Sequence, residues 1–289
     1  MNIVITGATG YLGVRFAERL CQNHTYKILL TVRDESRLPE IFKSTKNISI
    51  CNINADSLQN QMIKFDADVI LSTTCCYELD TEYLYRTVDA NYVFPAKLLE
   101  IAAMAKKKNV RFISLGTGLP SSLNLYSLTK RHFAELGNFF REIGKVEFIN
   151  LALESFYGVN EPNNRFITKS ITRLKANQEL LLTEGTQKRD FIYIDDVIDV
   201  LLFFVESDTM SVNMGHIPVG TGVAPSIKEI ILFLHEELRS GSSLRFGHVK
   251  MRENEPSTCA DISVLRKLGY SKPFMHWRDG MRKVIGSVV

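Results

Sequence analysis

The feature that most constrains the fold is a glycine-rich turn close to the N-terminus. It reads Gly7-Ala-Thr-Gly10-Tyr-Leu-Gly13 and follows an apolar segment, 2–6, that has the length and composition of a buried strand. After the turn, residues 11–21 repeat apolar side chains at helical spacing. A three-glycine pattern is informative in this context, between a strand and a helix.

Each glycine suits a different requirement of a dinucleotide site. The first, Gly7, permits a tight turn, the second, Gly10, permits close approach of a pyrophosphate, and the third, Gly13, lets the helix pack near the sheet. The helix N-terminus adds N–H groups and a positive dipole end. The alternative is a strand–helix turn that binds no ligand. We expect the turn to bind a cofactor through Gly7, Thr9, Gly10, Tyr11, Leu12 and Gly13.

The first half of the chain alternates between strand-like and helix-like segments. The predicted strands are 2–6, 27–32, 48–53, 69–73, 110–115 and 146–151. The predicted helices are 11–21, 84–107 and 126–140. Helices of this length between strands imply right-handed crossovers and a parallel sheet. The sequence therefore predicts an α/β fold with a doubly wound parallel sheet of the Rossmann type.

The pattern changes after residue 153, where polar turns alternate with single helices. We predict a dinucleotide-binding domain over 1–153 and a smaller α/β substrate-binding lobe over 154–289. The segment 187–215 is expected to pack back on the first domain, because 195–205 forms an apolar helical pattern. Ligands of such folds bind at the carboxyl ends of the strands.

Charge and composition argue against several classes of protein. The formal net charge is +3 and the basic residues are scattered, so nucleic acid is not an expected partner. The one cluster, 106–108, fits the solvated end of a helix. No apolar run has the length of a membrane span, and the N-terminus lacks the basic start of a signal peptide.

The five cysteines are odd in number and lack the spacing of metal ligands. Such usage is typical of a reducing compartment, so we predict a cytoplasmic protein without a metal site.

The end of the second strand bears on the choice of cofactor. An acidic residue there would hold the 2′-hydroxyl of NAD, whereas an arginine accommodates the 2′-phosphate of NADP. This chain has Arg33 followed by Asp34. Arg33 favours NADPH, and Asp34 keeps NADH open as the second choice.

Tyr126 and Lys130 lie four residues apart in a predicted helix and so share one face. A phenol with a pKa near ~10 transfers protons poorly at neutral pH, and a neighbouring ammonium is expected to lower that pKa. Thr117, at the end of the fifth strand, is placed to orient a carbonyl group. Together these residues predict a proton-transfer site for an oxidoreductase.

These motifs resemble the extended short-chain dehydrogenases/reductases of the NAD-dependent epimerase/dehydratase family, which act on nucleotide-linked sugars. Four segments carry the resemblance: the Gly7 turn, Thr117 with Tyr126-x3-Lys130, Lys188-Arg-Asp-Phe-Ile-Tyr-Ile-Asp-Asp196, and Arg252-Glu-Asn-Glu-Pro256 with Ala260-Asp261. Three further segments resemble the CDP-paratose and CDP-abequose synthases of that family: Gly116-Thr-Gly-Leu-Pro120, Leu153-Glu-Ser-Phe-Tyr-Gly158 and Cys259-Ala-Asp-Ile262.

The resemblance implies a role for each matching residue. Tyr126 is the expected proton donor, Lys130 holds the nicotinamide ribose, and Thr117 orients the carbonyl. Asn91 matches an asparagine that braces the site. Further cofactor contacts are expected from Arg33, Asp56, Thr73 and Lys130, and substrate contacts from Thr74, Arg189 and Arg252, with the two arginines on the nucleotide diphosphate.

The departures from the family pattern narrow the expected reaction. Dehydratases of the family carry Asp-Glu directly after the threonine, where this chain has Gly118-Leu119. Enzymes that couple reduction to epimerisation carry a cysteine at the position of Leu119. Ala152 and Ser155 replace an arginine and an asparagine that relatives use. Of these family reactions, the one that the pattern leaves is simple reduction of a keto group.

The sequence therefore predicts NADPH-dependent reduction of the C4 keto group of a nucleoside-diphospho-deoxysugar. One alternative is a nucleotide-sugar C4 epimerase with tightly bound NAD. Another is a non-catalytic NAD(P)-binding sensor. Relatives pair through two helices per subunit, so a homodimer through 84–107 and 126–140 is expected.

Overall fold

The computed structural model describes residues 1–54, 57–77, 81–105, 109–207 and 216–288. Two predictions lie outside the described residues: Asp56 as a cofactor contact, and the lysine cluster 106–108 as the solvated end of a helix.

The described strands are mostly short and apolar, as buried strands of a parallel sheet are. They are β1 Asn2–Thr6, β2 Lys27–Val32, β3 Ile48–Asn52, β4 Val69–Ser72, β5 Arg111–Thr117, β6 Glu147–Leu153, β7 Ser155–Tyr157, β8 Leu180–Leu181, β9 Phe191–Tyr193, β10 Ile217–Val219 and β11 Leu244–Arg245.

The described helices vary from a single turn to five turns. They are α1 Tyr11–Cys21, α2 Glu40–Ser44, α3 Leu58–Phe65, α4 Leu84–Val88, α5 Phe94–Ala103, α6 Leu125–Glu142, α7 Phe166–Lys175, α8 Ile194–Glu206, α9 Ile227–Glu237, α10 Ser263–Lys267 and α11 Trp277–Ser287. Short 3₁₀ turns occupy Glu35–Arg37 and Thr81–Tyr83, and a π-helical turn occupies Asp89–Val93.

The main sheet has the strand order β10-β6-β5-β4-β1-β2-β3. Strand β1 pairs in parallel with both β2 and β4, and the pairs β2–β3 and β4–β5 are also parallel. The chain therefore runs from β1 outwards to β3 and then returns to the other side of β1. This reversal places the carboxyl ends of β1 and β4 side by side, where doubly wound sheets bind ligands. The predicted fold class is confirmed.

Strand β5 continues two residues beyond its predicted end at 115. Gly116, the first residue of this extension, is of a type that weakens a strand. Here the glycine is needed, since a Cβ at position 116 would lie 2.8 Å from Oδ1 of Asn150 on β6. The extension makes Thr117 the last residue of the strand.

The helix predicted over 84–107 is divided by the π-helical turn Asp89–Val93 and ends at Ala103. Pro95 explains the division. It lies four residues after Asn91, has no N–H to donate to the Asn91 carbonyl, and would clash with that carbonyl in an α-helix. The wider turn leaves Asn91 without exposed surface.

Helix α6 is packed against the sheet through an aromatic cluster. The ring centroids of Phe112, Phe133 and Phe148 are 5.9 Å apart in each pair. Gly137 lies one turn after Phe133, and a Cβ there would be 2.1 to 2.4 Å from the Phe148 ring. A residue without a side chain at 137 therefore lets α6 approach the sheet closely, and α6 carries Tyr126.

The chain divides into two compact units. The first comprises Met1–Ala152 and Phe204–Ile217, and the second comprises Leu153–Phe203 and Pro218–Val289. Of the segment 187–215, expected to pack back on the first domain, only the part from Phe204 onward belongs to the first unit. The roles assigned to the two domains stay predictions.

The second unit contains two small parallel sheets, β7 with β9 and β8 with β11. The Tyr157 hydroxyl donates to the Trp277 carbonyl at 3.0 Å, and its ring packs edge-on against Phe191 and Tyr193. Within the described ranges, no helix is long and apolar enough to cross a membrane.

Replacing Gly137 with alanine is expected to lower the free energy of unfolding by about 1–3 kcal/mol, the usual cost of overpacking a core. Helix propensity alone predicts the opposite sign, since alanine is favoured over glycine in a helix by up to ~1 kcal/mol. Gly286→Ala in α11 is the matched control, because the added Cβ would meet no described atom within 4 Å. Urea unfolding followed by circular dichroism measures both variants. A Gly137→Ala protein as stable as the wild type would contradict the packing argument.

Candidate active site

The glycine turn has the backbone that its sequence predicts. Gly7 lies in the left-handed region with φ of +68°, and the Gly10 N–H donates to the Gly7 carbonyl at 2.9 Å. A Cβ on Gly13 would lie 2.3 Å from that same carbonyl oxygen. Gly10 begins α1 without a capping side chain. The first turn of α1 therefore has no bulky group over it, as an anion site requires.

The ends of β1 and β4 meet beside this turn. A Cβ on Gly7 would lie 2.7 Å from Thr73 Oγ1 and 2.9 Å from the Thr74 nitrogen. The Thr73 hydroxyl donates to the Thr6 carbonyl at 2.6 Å, and the Thr74 hydroxyl donates to the Thr6 hydroxyl at 3.0 Å. These bonds hold the two strand ends together. A side chain at position 7 would collide with the end of β4, so this close approach of the turn to β4 requires glycine.

The remaining residues predicted at the turn differ in exposure. Thr9 and Tyr11 are half-buried, whereas the Leu12 side chain is buried. Leu12 therefore offers only its backbone to a ligand.

Arg33 and Asp34 are both exposed at the end of β2. The Asp34 carboxylate accepts from the Ser36 hydroxyl at 2.7 Å and from the Ser36 N–H at 3.0 Å, capping the 3₁₀ turn. These hydrogen bonds lower the pKa of Asp34. The carboxylate is thus engaged locally, and the Arg33 guanidinium is the exposed charge beside it.

The beginning of helix α6 is fixed by a capping box. The Asn124 side chain accepts from the Ser127 N–H at 2.9 Å, and the Ser127 hydroxyl accepts from the Asn124 N–H at 3.3 Å. Tyr126 lies between them in the first turn. Lys130 follows one turn later, is 7% exposed, and donates through Nζ to the Thr74 carbonyl at 3.2 Å. The capping box therefore fixes where both side chains leave the helix.

The Thr117 side chain is hydrogen-bonded to two groups of the protein. Its Oγ1 accepts from the Leu119 N–H at 3.2 Å. Its side chain is also hydrogen-bonded to the Tyr126 phenol, which favours the phenolate. A hydroxyl has one proton and two acceptor sites, so Thr117 can accept from Leu119 and still donate its proton to another oxygen.

The pKa of Tyr126 moves opposite to the prediction. Burial of the phenol raises the pKa well above its ordinary value, Cys75 and Tyr77 raise it further, and the hydrogen bond from Thr117 opposes the shift. Burial also lowers the pKa of Lys130. The expected lowering of the Tyr126 pKa by an ammonium is therefore wrong as a net effect. Loss of water around both groups outweighs it.

A buried amide connects the residues around Tyr126. Asn91 accepts from the Cys76 N–H at 2.8 Å, donates to the Cys76 carbonyl at 2.9 Å, and donates to Thr129 Oγ1 at 3.2 Å. Thr129 lies on α6 beside Lys130. Asn91 thus joins the segment after β4 to the helix that carries the Tyr–Lys pair.

Two residues beside Tyr126 are absent from the predicted site. The Tyr77 ring lies edge-on to the Tyr126 ring with centroids 4.7 Å apart, and the Cys75 side chain hydrogen-bonds the Tyr126 phenol. The sequence signal for both was weak, because the segment after β4 has no periodic pattern. Cys76, between them, is buried.

Arg189 and Arg252 belong to the second unit. The Arg189 guanidinium is buried, and it donates to the Lys188 carbonyl at 2.9 Å, to the Pro256 carbonyl and to the Glu255 carboxylate. Arg252 is exposed. The donors of Arg189 are therefore engaged within the protein, and the phosphate-binding role of both arginines stays a prediction.

Asp190, next to Arg189, has an anchoring role that the motif alone did not reveal. It has no exposed surface, and its carboxylate accepts from the N–H groups of Thr221, Gly222 and Ala260. It joins two loops of the second unit.

The first unit thus places the glycine turn, Thr73, Thr74 and Thr117 at the carboxyl ends of β1, β4 and β5, and Tyr126 and Lys130 on α6 bond to this end of the sheet. A family model described as the NAD dependent epimerase/dehydratase family matches residues 3–220. The chain belongs to this family.

Two relatives of this chain are named CDP-abequose synthase. The protein from Salmonella muenchen is 30% identical over 294 residues, covering 98% of this chain and 97% of the relative. The protein from Salmonella typhimurium is 27% identical over 300 residues with the same coverage. A solved structure of UDP-glucuronic acid 4-epimerase from Bacillus cereus, with UDP-glucuronic acid and NAD, has a TM-score of 0.85 at 21% identity. It covers 100% of this chain and 99% of that one, and it shows the same fold.

Replacing Asn91 with leucine leaves the buried N–H and carbonyl of Cys76 without their partner. We expect the free energy of unfolding to fall, with an upper limit of about 1–3 kcal/mol for each of these two unsatisfied groups. Thr129→Val is the graded control, because it keeps both bonds of Asn91 to Cys76 and removes only the Thr129 hydroxyl, which accepts from Asn91 and donates to the carbonyls of Leu125 and Tyr126. Chemical denaturation compares the two variants. Equal losses would contradict the assignment of Cys76 as the main partner.

Proposed function

We propose that this protein reduces the C4 keto group of a nucleoside-diphospho-deoxysugar with NADPH. The observation that carries the proposal is the grouping of two hydroxyls and an ammonium: Thr117 and Tyr126 are hydrogen-bonded to each other, and Lys130, one turn after Tyr126, bonds the Thr74 carbonyl through Nζ. A phenol is protonated at neutral pH, and burial raises the pKa of Tyr126 further, so the phenol can donate a proton to a ketone.

Thr117 and Tyr126 act on the same oxygen of the substrate. A ketone oxygen placed at both hydroxyls receives a hydrogen bond from each, and both bonds strengthen as negative charge develops there. The Tyr126 proton passes to this oxygen as the carbonyl becomes an alcohol. Once its proton has left, the phenolate is stabilised by the charge of Lys130.

Lys130 has a structural and an electrostatic role in this scheme. Its bond to the Thr74 carbonyl fixes one N–H, and an ammonium has three donors in all. The other two are suited to the hydroxyls of a nicotinamide ribose. When bound, NADPH would supply the hydride that is added to the carbonyl carbon and would thereby become NADP⁺.

The substrate class rests on the relatives and on what the site lacks. Two relatives are named as synthases of a CDP-linked sugar. Directly after Thr117 the chain has Gly118-Leu119, and neither residue carries an acidic or basic group. Sugar dehydration needs both, so these residues argue against a dehydratase, and reduction is the reaction that we propose. Arg252 and Arg189 are proposed contacts of the diphosphate.

NADPH is the proposed cofactor because of the charges at the end of β2. The carboxylate that would recognise the NAD ribose, Asp34, caps the 3₁₀ turn through Ser36. Arg33 is exposed beside it and suits a 2′-phosphate.

We further propose a cytoplasmic homodimer. The five cysteines are all free, as expected in a reducing compartment. Leu84, Tyr85 and Val93, in and beside α4, are exposed apolar side chains. A second copy of the chain would remove such surface from water.

The first experiment follows NADPH oxidation with CDP-, GDP-, dTDP- and UDP-linked 4-keto-6-deoxy sugars. We expect rapid consumption with one of them, the CDP sugar first, and slower consumption with NADH. Interconversion of 4-hydroxy sugars without net NADPH consumption would identify an epimerase instead. Tight NADPH binding without turnover of any sugar would favour a sensor.

Tyr126→Phe is expected to lower turnover by roughly two to four orders of magnitude, the usual contribution of a general acid. NADPH binding should be unchanged, because the phenol is assigned to the substrate. Tyr83→Phe, an exposed tyrosine on the 3₁₀ turn, is the matched control. Steady-state kinetics and cofactor fluorescence titration make the comparison. A Tyr126→Phe enzyme with near wild-type turnover would sink the assignment.

A further inference from the structure

We propose that Tyr77 determines specificity in the same site: its ring lies against the carbon next to the reacting carbonyl and favours hydrogen over hydroxyl at that carbon. The inference rests on the proposed function, which places a sugar ring at Tyr126. It assigns the recognition of the deoxygenated position to a residue outside the predicted catalytic set.

The distance between the two tyrosines sets what Tyr77 can reach. Its ring centroid is 4.7 Å from that of Tyr126, with an angle of 61° between the planes. A ketone oxygen bound to the Tyr126 hydroxyl lies about 2.7 Å from it. The carbonyl carbon is one bond from that oxygen and each flanking carbon is two bonds from it, and we place one flanking carbon on the Tyr77 side of Tyr126.

Tyr77 is held in this place by the backbone next to it. Both polar backbone groups of Cys76 are bonded to Asn91, at 2.8 and 2.9 Å. Asn91 has no exposed surface and also bonds Thr129 on the helix of Tyr126. The backbone next to Tyr77 and the helix that carries Tyr126 are therefore joined by hydrogen bonds through Asn91. This connection fixes the Tyr77 ring relative to Tyr126, as discrimination between similar substrates requires.

The groups on this side of Tyr126 are poorly suited to a hydroxyl. They are the Tyr77 ring, which is 60% exposed, and the Cys75 thiol, which forms only weak hydrogen bonds. A sugar hydroxyl placed here loses water without an equivalent partner, and that loss is unfavourable. A C–H group loses nothing and gains contact with the aromatic surface. The Tyr77 ring also carries a phenolic hydroxyl, so the test separates that hydroxyl from the ring.

The test measures binding, which does not depend on turnover. The probes are two CDP-linked 4-hydroxy hexoses that differ only at C3, one bearing hydrogen and the other a hydroxyl, titrated calorimetrically into enzyme with NADP⁺. We expect the wild type to bind the 3-deoxy sugar at least about tenfold more tightly, within the range that one polar or apolar group confers. Tyr77→Ala should reduce this ratio to about threefold or less, and Tyr77→Phe should retain it.

Phe139→Ala is the matched control, because Phe139 is 55% exposed and lies thirteen residues beyond Tyr126 on α6, about 20 Å along the helix. Its ratio should equal that of the wild type. The inference is overturned if Tyr77→Ala keeps the wild-type ratio, if Tyr77→Phe loses it, or if the wild type prefers the 3-hydroxy sugar. The inference is also overturned if neither sugar binds.

Turnover of the matching 4-keto sugars separates this inference from the proposed function. If the binding ratios are as expected but no NADPH is oxidised, the proposed reductase activity is refuted, whereas the role of Tyr77 in sugar recognition is supported. Reduction of both sugars with a ratio that Tyr77→Ala does not change would refute the inference alone.

Discussion

The geometry of the candidate site depends on one buried amide. Asn91 bonds both backbone groups of Cys76 and the hydroxyl of Thr129, and so it joins the segment after β4 to helix α6. Its own position follows from the π-helical turn that Pro95 imposes four residues later. A proline on the outer helix therefore influences the separation of Tyr77 and Tyr126, although it touches neither ring. π-helical turns occur often at functional sites, and here the turn aims a polar side chain into the protein.

Loss of water controls the acid–base properties of the site more than charge does. The same burial raises the pKa of Tyr126 and lowers that of Lys130. Each shift favours the neutral form of its group, which is the general response of ionisable side chains to a low dielectric. The hydrogen bond between Thr117 and the phenol opposes the rise in the Tyr126 pKa. The site thus stores a proton on the tyrosine before any substrate is bound.

Local patterns predicted the parts of the site that neighbours in sequence determine. The glycine turn could be read because Gly7 and Gly13 constrain a single backbone segment, and the Tyr126–Lys130 pair because four residues make one helical turn. The direction of the Tyr126 pKa could not be read, because it depends on burial by residues distant in the chain. The same holds for Arg189, whose partner Glu255 lies 66 residues away, and for Tyr77, whose importance comes from a ring contact across two elements.

The close packing of α6 on the sheet has a consequence for how this sequence can vary. The space that a side chain at position 137 would need is already filled by the Phe148 ring. The two positions are therefore coupled, and a larger residue at 137 becomes acceptable only after a smaller one has replaced the phenylalanine. Divergence at this pair has a preferred order, first the strand and then the helix, because the reverse order passes through an overpacked intermediate. Among related sequences the two positions should covary, with their combined volume nearly constant.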